Sequence, residues 1–417
     1  MNVKSTFLQQ FIARGFFAQC TNLEELDLQL LNTQNNGKPM VAYIGFDCTA
    51  PSLHVGSLMQ IMMLRLWQKH GNLPIVLVGG GTTQIGDPSG KDEARNLLSL
   101  AQIATNTAGI QQTLSSFLDF NNQKLANSAI LVNNQDWLLN LNYLQFLRDI
   151  GKHFSINKML SFDSVKLRLQ RDQPLSFLEF NYMLLQAYDF LQLYQQNSCT
   201  LQIGGSDQWG NIVNGTELIR KFYAHKQQEH RPVFGLTSPL LTTADGKKMG
   251  KTANGAVWLS ADLLNPFEFF QYFRNVCDDD VEKFLKLFTD LDLEQISYFC
   301  QNQNINQNKE ILAFEATKIC HSSTQATEAL ERARAIFVSK ENFPSFSFAL
   351  NNESKKLTDI LLEIKASPSK SEAKKLIQGG AVKINKQAVL DVFHSFNQAQ
   401  EFELSVGKKK FFKIILI

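Results

Sequence analysis

The sequence predicts an α/β fold: a parallel-sheet domain first, a helical domain after it and a small α+β domain last. Three observations carry this. Residues 41–46 (VAYIGF) and 74–80 (PIVLVGG) are apolar runs of strand length separated by a stretch with helical periodicity. From about 261 to 340 apolar residues recur at helical spacing, with no strand pattern between them. Residues 355–417 then change composition, holding 12 Lys against 6 Asp and Glu, a balance of +6, while the first 354 sum to −4.

Taken in order, the opening MNVKSTFLQQFIARGFFAQC has short apolar stretches broken by Gln, Arg and Gly. It lacks a secretory apolar core and reads as an amphipathic helix, with a weak transit peptide as the other reading; a cytoplasmic location is expected. Residues 41–46 form a buried strand. Between 56 and 70, Leu58, Ile61, Met62, Arg65 and Leu66 stand at helical spacing, and Gly71 ends the helix. The strand at 74–80 completes a βαβ unit, which places ligands at the carboxyl ends of a parallel sheet. A long helix is expected at about 177–196, a strand at 199–203, a helix from about 210, and a short strand at Pro239-Leu240-Leu241 before a polar loop at 243–254. The domain limits expected are 1–255, 256–340, a linker at 341–354 (ENFPSFSFALNNES), and 355–417.

With 417 residues, 44% hydrophobic and 19% charged, the chain suits a globular protein of several domains. No uninterrupted apolar run approaches the roughly 18 residues of a membrane span. The cysteines at 20, 48, 199, 277, 300 and 320 form no CxxC pair, and Cys320-His321 is not a metal-ligand spacing; reduced thiols and no metal site are expected. A basic tail on a mildly acidic body points to a polyanionic partner, or to no more than a solvated Lys-rich face.

Three stretches carry chemistry. In YIGFDCTAPSLHVGS (43–57) a strand ends and Thr, Ser and His gather at the start of a helix, whose free N–H groups and positive dipole end suit phosphate. His54 there either donates to a phosphate oxygen or is a loop histidine with an ordinary hydrogen bond. GKKMGKT (246–252) lacks the spacing of a nucleotide-binding P-loop, but its glycines and lysines can close over a triphosphate; a solvated basic loop is the alternative. On the long helix, Tyr182, Gln186 and Asp189 share one face among apolar neighbours. That face either lines a pocket for a polar ligand or ties helix to sheet through an internal network.

HVGS and KMGKT resemble the HIGH and KMSKS motifs of class I aminoacyl-tRNA synthetases, in the family's order. Ser57 replaces the second HIGH histidine and Gly250 the KMSKS serine. Tyr182, Gln186 and Asp189, followed by IGGSDQWGN (203–211), resemble tyrosyl-tRNA synthetases, and LTDILLEIKASPSKSEAKKLIQGGAVKINKQAV (357–389) resembles the small RNA-binding module shared with a ribosomal protein. The resemblance implies a Rossmann-like catalytic domain, L-tyrosine, ATP and tRNA(Tyr) as substrates, Mg²⁺ carried with the triphosphate, a homodimer and no membrane.

It also implies roles for particular residues. Tyr43 and Asp189 would bind the phenolic hydroxyl, and Asp87, Tyr182 and Gln186 the α-ammonium. Gln208 would lie near the carboxylate and Asp207 at the ribose. Asp47, Thr49 and Ser57 belong with the nucleotide, as does Thr252. Catalysis would fall to His54, Lys91, Arg95, Lys248 and Lys251, which surround the phosphates. Thr83 and Gln84 stand where many relatives have a small and an apolar residue, a local variation beside Thr82. On the basic helix, Lys370, Lys374 and Lys375 would contact tRNA phosphates. The competing readings are a tryptophan-specific relative and a structured-RNA-binding protein on the same fold.

Overall fold

The computed structural model describes residues 2–86, 98–120, 125–244, 246, 249, 251–252, 255–341, 345–350, 354–385, 387–407 and 410–417. Contacts divide the chain into two compact units, Met1–Leu330 and Glu331–Ile417.

The first unit is built on a six-stranded sheet of β1 (Gln19–Cys20), β2 (Val41–Phe46), β3 (Leu73–Val78), β4 (Ile130–Asn133), β5 (Leu201–Gly205) and β6 (Phe234–Ser238), in the spatial order β1-β6-β5-β2-β3-β4. All neighbours run parallel except the short β1, which is antiparallel to β6. The chain leaves β2 through a 3-10 turn, Val55–Ser57, and the helix Leu58–Lys69, then returns as β3 with Tyr43 beside Ile75. This helix is buried along most of its length, Trp67 donating its indole N–H to the Leu73 carbonyl at 3.1 Å. Phe7 of the first helix, Thr6–Ala13, packs edge-on against Trp67. After β4 the chain crosses to the other side of β2. The helix Phe177–Asn197 makes that return, started by a capping box in which Ser176 and Glu179 satisfy each other's backbone N–H. Strand order therefore reverses between β2 and β5, and their carboxyl ends open a crevice there.

Three expectations are corrected. Strand β5 begins at Leu201 rather than 199, because Ser198 adopts φ 54° and the Cys199 N–H still bonds back to Leu193, closing the helix before it. Pro239-Leu240-Leu241 is not a strand. The ladder with β5 ends at Ser238, and Pro239 has no N–H to extend it. The supposed linker supplies a strand, β9 (Ser345–Phe348). The helical stretch, with helices Pro266–Arg274, Val281–Phe288, Leu293–Asn302 and Ile305–Cys320, lies within the same compact unit as the sheet. Two arginines show why. Arg14 donates to the carbonyls of Lys286, Thr289 and Leu291, and Arg65 forks onto Asp290, which also meets Lys69. Burial would raise the Asp290 carboxyl, but Arg65 and Lys69 outweigh it and hold it below its ordinary value. The polar loop closes with a small hairpin, β7 (Lys251–Thr252) and β8 (Gly255–Ala256).

The second unit contains β9 (Ser345–Phe348), β10 (Lys355–Lys356), β11 (Val382–Ile384), β12 (Gln387–Ala388), β13 (Ser395–Phe396), β14 (Gln400–Val406) and β15 (Lys410–Leu416). Five of these form a sheet in the order β12-β11-β14-β15-β9, with β9 parallel to β15; β10 and β13 pair separately. The helices Leu357–Glu363 and Lys370–Gln378 bury Leu357, Ile360, Leu361 and Ile377 against Val382, Phe402, Leu404 and Ile414. Ser369 caps the second helix by accepting the Glu372 N–H.

Candidate active site

A cavity of about 330 Å³ occupies the crevice between β2 and β5. Strand β2 supplies Tyr43, the turn after it Asp47 and Thr49, the helix start His54 and Ser57, the long helix Tyr182, Gln186 and Asp189, and the end of β5 Asp207 and Gln208. Residues separated by up to 165 positions in sequence thus line one space, so the shared face of the long helix is a pocket wall.

At the deep end, Tyr43 and Asp189 are buried, at 1% and 2% exposure. Among the described residues the Tyr43 hydroxyl has no hydrogen-bond partner. Burial, joined by the Asp189 charge, pushes its pKa well above the ordinary phenol value, so it stays protonated. Asp189 accepts from Asn134 Nδ2 at 2.9 Å and Trp137 Nε1 at 2.7 Å. Burial still dominates those two bonds and lifts its carboxyl to about 7, with the Asp47 charge adding to the rise.

Along the wall, the amides of Gln186, Gln208 and Asn211 form a connected set: Asn211 Nδ2 donates to both glutamine Oε1 atoms, and Gln186 Nε2 to Gln208. Tyr182 donates to Asp47 Oδ1 at 3.3 Å. Thr83, a residue of the local variation noted above, accepts the Cys48 N–H at 2.8 Å, and Asn106 bonds the Cys48 carbonyl, so the turn carrying Asp47 and Thr49 is pinned from both sides. Thr82 lines the cavity and accepts from Asn134. Gly79 leaves room for this: a Cβ there would come within 2.5 Å of Thr82 Oγ1 and 3.0 Å of Asp47 Oδ1.

At the mouth, His54 precedes the 3-10 turn, and its Nδ1 accepts the Gly56 N–H at 2.9 Å. That places the proton of neutral His54 on Nε2. The Ser57 side chain makes no capping bond to its helix. The polar loop reaches this turn, since the Met249 carbonyl lies 3.2 Å from where a Gly56 Cβ would stand.

Asp87, Lys91, Arg95 and Lys248 lie outside the described residues, and for Lys251 and Thr252 the backbone of β7 is described but not the side chains. On the second unit, Lys370, Lys374 and Lys375 are exposed on one helix, Lys370 reaching Asp359 at 2.7 Å. Sequence reading missed Asn134, Trp137 and Asn211. Asn211 stands inside the recognised IGGSDQWGN stretch, whereas the other two follow β4, a strand too short and uniformly half-buried to show a period. Among the described residues no group of three His, Cys, Asp or Glu could hold a metal ion.

The family described as tRNA synthetases class I (W and Y) matches residues 34–338, and the Tyrosine--tRNA ligase SYY-like C-terminal domain matches residues 335–414. The chain is 51% identical to a tyrosine--tRNA ligase of Wolbachia pipientis subsp. Culex pipiens (strain wPip), covering 100% of this chain and 99% of that protein. It is 49% identical to the tyrosine--tRNA ligase of Pelagibacter ubique (strain HTCC1062), with 99% of each covered. Its structure resembles a C-terminally truncated mitochondrial tyrosyl-tRNA synthetase of Aspergillus nidulans, with TM-score 0.69 and 30% identity over 80% of this chain and 95% of that one. With the two family matches together spanning residues 34–414 and the curated relatives aligned over nearly their full length, the chain belongs to the bacterial tyrosine--tRNA ligases of class I.

Proposed function

We propose that this ligase joins L-tyrosine to ATP in the β2/β5 crevice, phenol end at Tyr43 and Asp189 and triphosphate at the His54 turn. The observation that carries the orientation is the buried pair at the deep end. A protonated hydroxyl without a partner and a twice-bonded carboxylate are left waiting for a ligand that can both accept and donate, as a phenol does. A phenylalanine ring would leave the Tyr43 hydroxyl without that partner.

The remaining roles are those that the family resemblance implies. Tyr182 and Gln186, with Asp87, bind the α-ammonium, and Gln208 orients the carboxylate. That carboxylate oxygen attacks the α-phosphorus as the bond to the bridging β-phosphate oxygen breaks, giving tyrosyl-adenylate and pyrophosphate. Asp207 holds the ribose; Asp47 and Thr49 sit by the α-phosphate, with Ser57 and Thr252 at the nucleotide. His54, protonated on Nε2, donates to phosphate as charge builds, and Lys91, Arg95, Lys248 and Lys251 neutralise the leaving pyrophosphate. Mg²⁺ enters as part of the Mg-ATP substrate. A terminal ribose hydroxyl of tRNA(Tyr) then attacks the adenylate carbonyl and AMP leaves. The exposed lysines 370, 374 and 375 position the tRNA backbone.

A homodimer is part of this reading. Leu139, Tyr143, Leu144, Ile156, Phe177 and Leu178 are exposed apolar side chains on a single stretch of the first unit, and a second copy would cover them. A cytoplasmic location is part of it too; among the described residues no helix is long and apolar enough to cross a membrane.

Amino-acid-dependent ATP–pyrophosphate exchange with tyrosine, tryptophan and phenylalanine tests the pocket. Exchange with tyrosine alone is expected. Exchange with tryptophan would overturn the phenol-reading assignment, and none with any amino acid would favour the RNA-binding alternative.

A further inference from the structure

We propose that Asp280 and Lys283 are positioning residues for adenylate formation: they anchor the upstream stem of the Gly/Lys loop, whose lysines the proposed function assigns to the triphosphate. Asp280 ends the 3-10 turn Asp278–Asp280, which runs directly into the helix Val281–Phe288. Its side chain makes no capping bond to that helix. Its Oδ2 instead accepts the Ala244 N–H at 2.8 Å, although the residue is 3% exposed. One helical turn on, Lys283 Nζ donates to the Thr242 carbonyl at 2.6 Å and lies 3.9 Å from Asp280 Oδ1. Two side chains of opposite charge therefore grip one donor and one acceptor of the loop's backbone. A buried carboxylate is costly unless hydrogen-bonded, and Asp280 finds its bond in the loop's backbone.

The far side of the loop is tied to the cavity wall. Val55 N–H bonds the Val257 carbonyl and Leu259 N–H the Leu53 carbonyl, with His54 bridged to Trp258 between them. Midway, buried Met249 brings its carbonyl against Gly56. The downstream stem thus takes its place from the residues that carry His54, and the upstream stem takes its place from the helical stretch. Lys248 and Lys251 fall between the two attachments. Loss of the upstream grip should misplace those ammonium groups without touching the tyrosine end of the cavity, where misplacement of charge costs rate rather than substrate affinity.

This rests on the reading that the loop lysines act on the triphosphate, so Lys251→Ala is measured beside the new variants. The test is tyrosine-dependent pyrophosphate exchange with ATP varied, equilibrium dialysis of tyrosine, and thermal melts, on the full chain. Asp280→Ala and Lys283→Met should each lower kcat/KM for ATP by about tenfold, with tyrosine binding unchanged. Asp280→Asn keeps an oxygen for the Ala244 N–H and should recover most of the rate; it also serves if the alanine variant does not fold. In a Lys251→Ala background, Asp280→Ala should cost less than it does alone, because part of its effect acts through the Lys251 ammonium. Wild-type exchange by folded Asp280→Ala and Lys283→Met, full additivity with Lys251→Ala, or equal loss of tyrosine binding would each overturn the anchoring. Wild-type exchange by Lys251→Ala would instead overturn the reading of the loop.

Discussion

Asp189 illustrates how burial and function meet in one side chain. Its carboxyl is lifted from 3.8 to about 7, so between those values the folded chain holds a proton that the unfolded chain has lost. Its contribution to stability is therefore most favourable below about pH 4, falls as pH rises to about 7 and is flat beyond. Asp189→Asn should remove that decline, which amounts to at most about 1.4 kcal/mol per pH unit. Urea melts of both proteins at about pH 5 and about pH 8 would show it as a narrowing gap, and saturating tyrosine, by donating to the ionised form, should weaken the trend in the parent. Tyr43 offers the complementary case. Its hydroxyl is a buried donor without a partner among the described residues, and the proposed phenol would supply one. Tyr43→Phe should leave the unliganded protein at least as stable, by about 1 kcal/mol, while selection of tyrosine over phenylalanine in exchange falls about tenfold. A variant that melts earlier and selects as before would contradict the role given to this hydroxyl.

At the scale of elements, the signals that could be read are those confined to one helix or turn. The long helix announced itself by an apolar face carrying Tyr182, Gln186 and Asp189; the capping box of Ser176 and Glu179 at its start came with the structure. The helix after β2 did so by its periodicity and by Gly71, which takes φ +79° beyond the end. Strand β4 could not be read, because its four residues are all half-buried and show no alternation. Two donors to Asp189 went unseen with it. The turn that begins the β2 helix depends on a glycine for a local reason. A Cβ at Gly56 would stand 2.5 Å from His54 Cε1 and 3.2 Å from the Met249 carbonyl. Gly56→Ala should turn His54 away and slow pyrophosphate exchange by roughly tenfold to a hundredfold, with tyrosine affinity by equilibrium dialysis unchanged.

For the whole molecule, the division at Leu330 assigns the entire cavity to the first unit and most of the excess positive charge to the second. A chain ending at residue 341 keeps every described cavity residue and the Arg14 and Arg65 ties to the helical stretch. It should sustain tyrosine-dependent exchange at close to the full rate while charging of tRNA drops by at least about tenfold, the loss shrinking at low salt. Filter-binding and charging assays of the truncated and full chains would check this; full charging by the truncated chain would remove the second unit from tRNA recognition. Local pattern was enough to establish the βαβ start, the helical stretch and the basic tail, because periodicity and composition are properties of neighbouring residues. The orphaned Tyr43 hydroxyl, the Asn134 and Trp137 bonds to Asp189, the Arg14 and Asp280 attachments and the strand hidden in the supposed linker came from folding alone. Each depends on groups that are distant in the chain and meet only when the sheet order reverses or a sheet edge is filled, and no local pattern records which distant group will arrive.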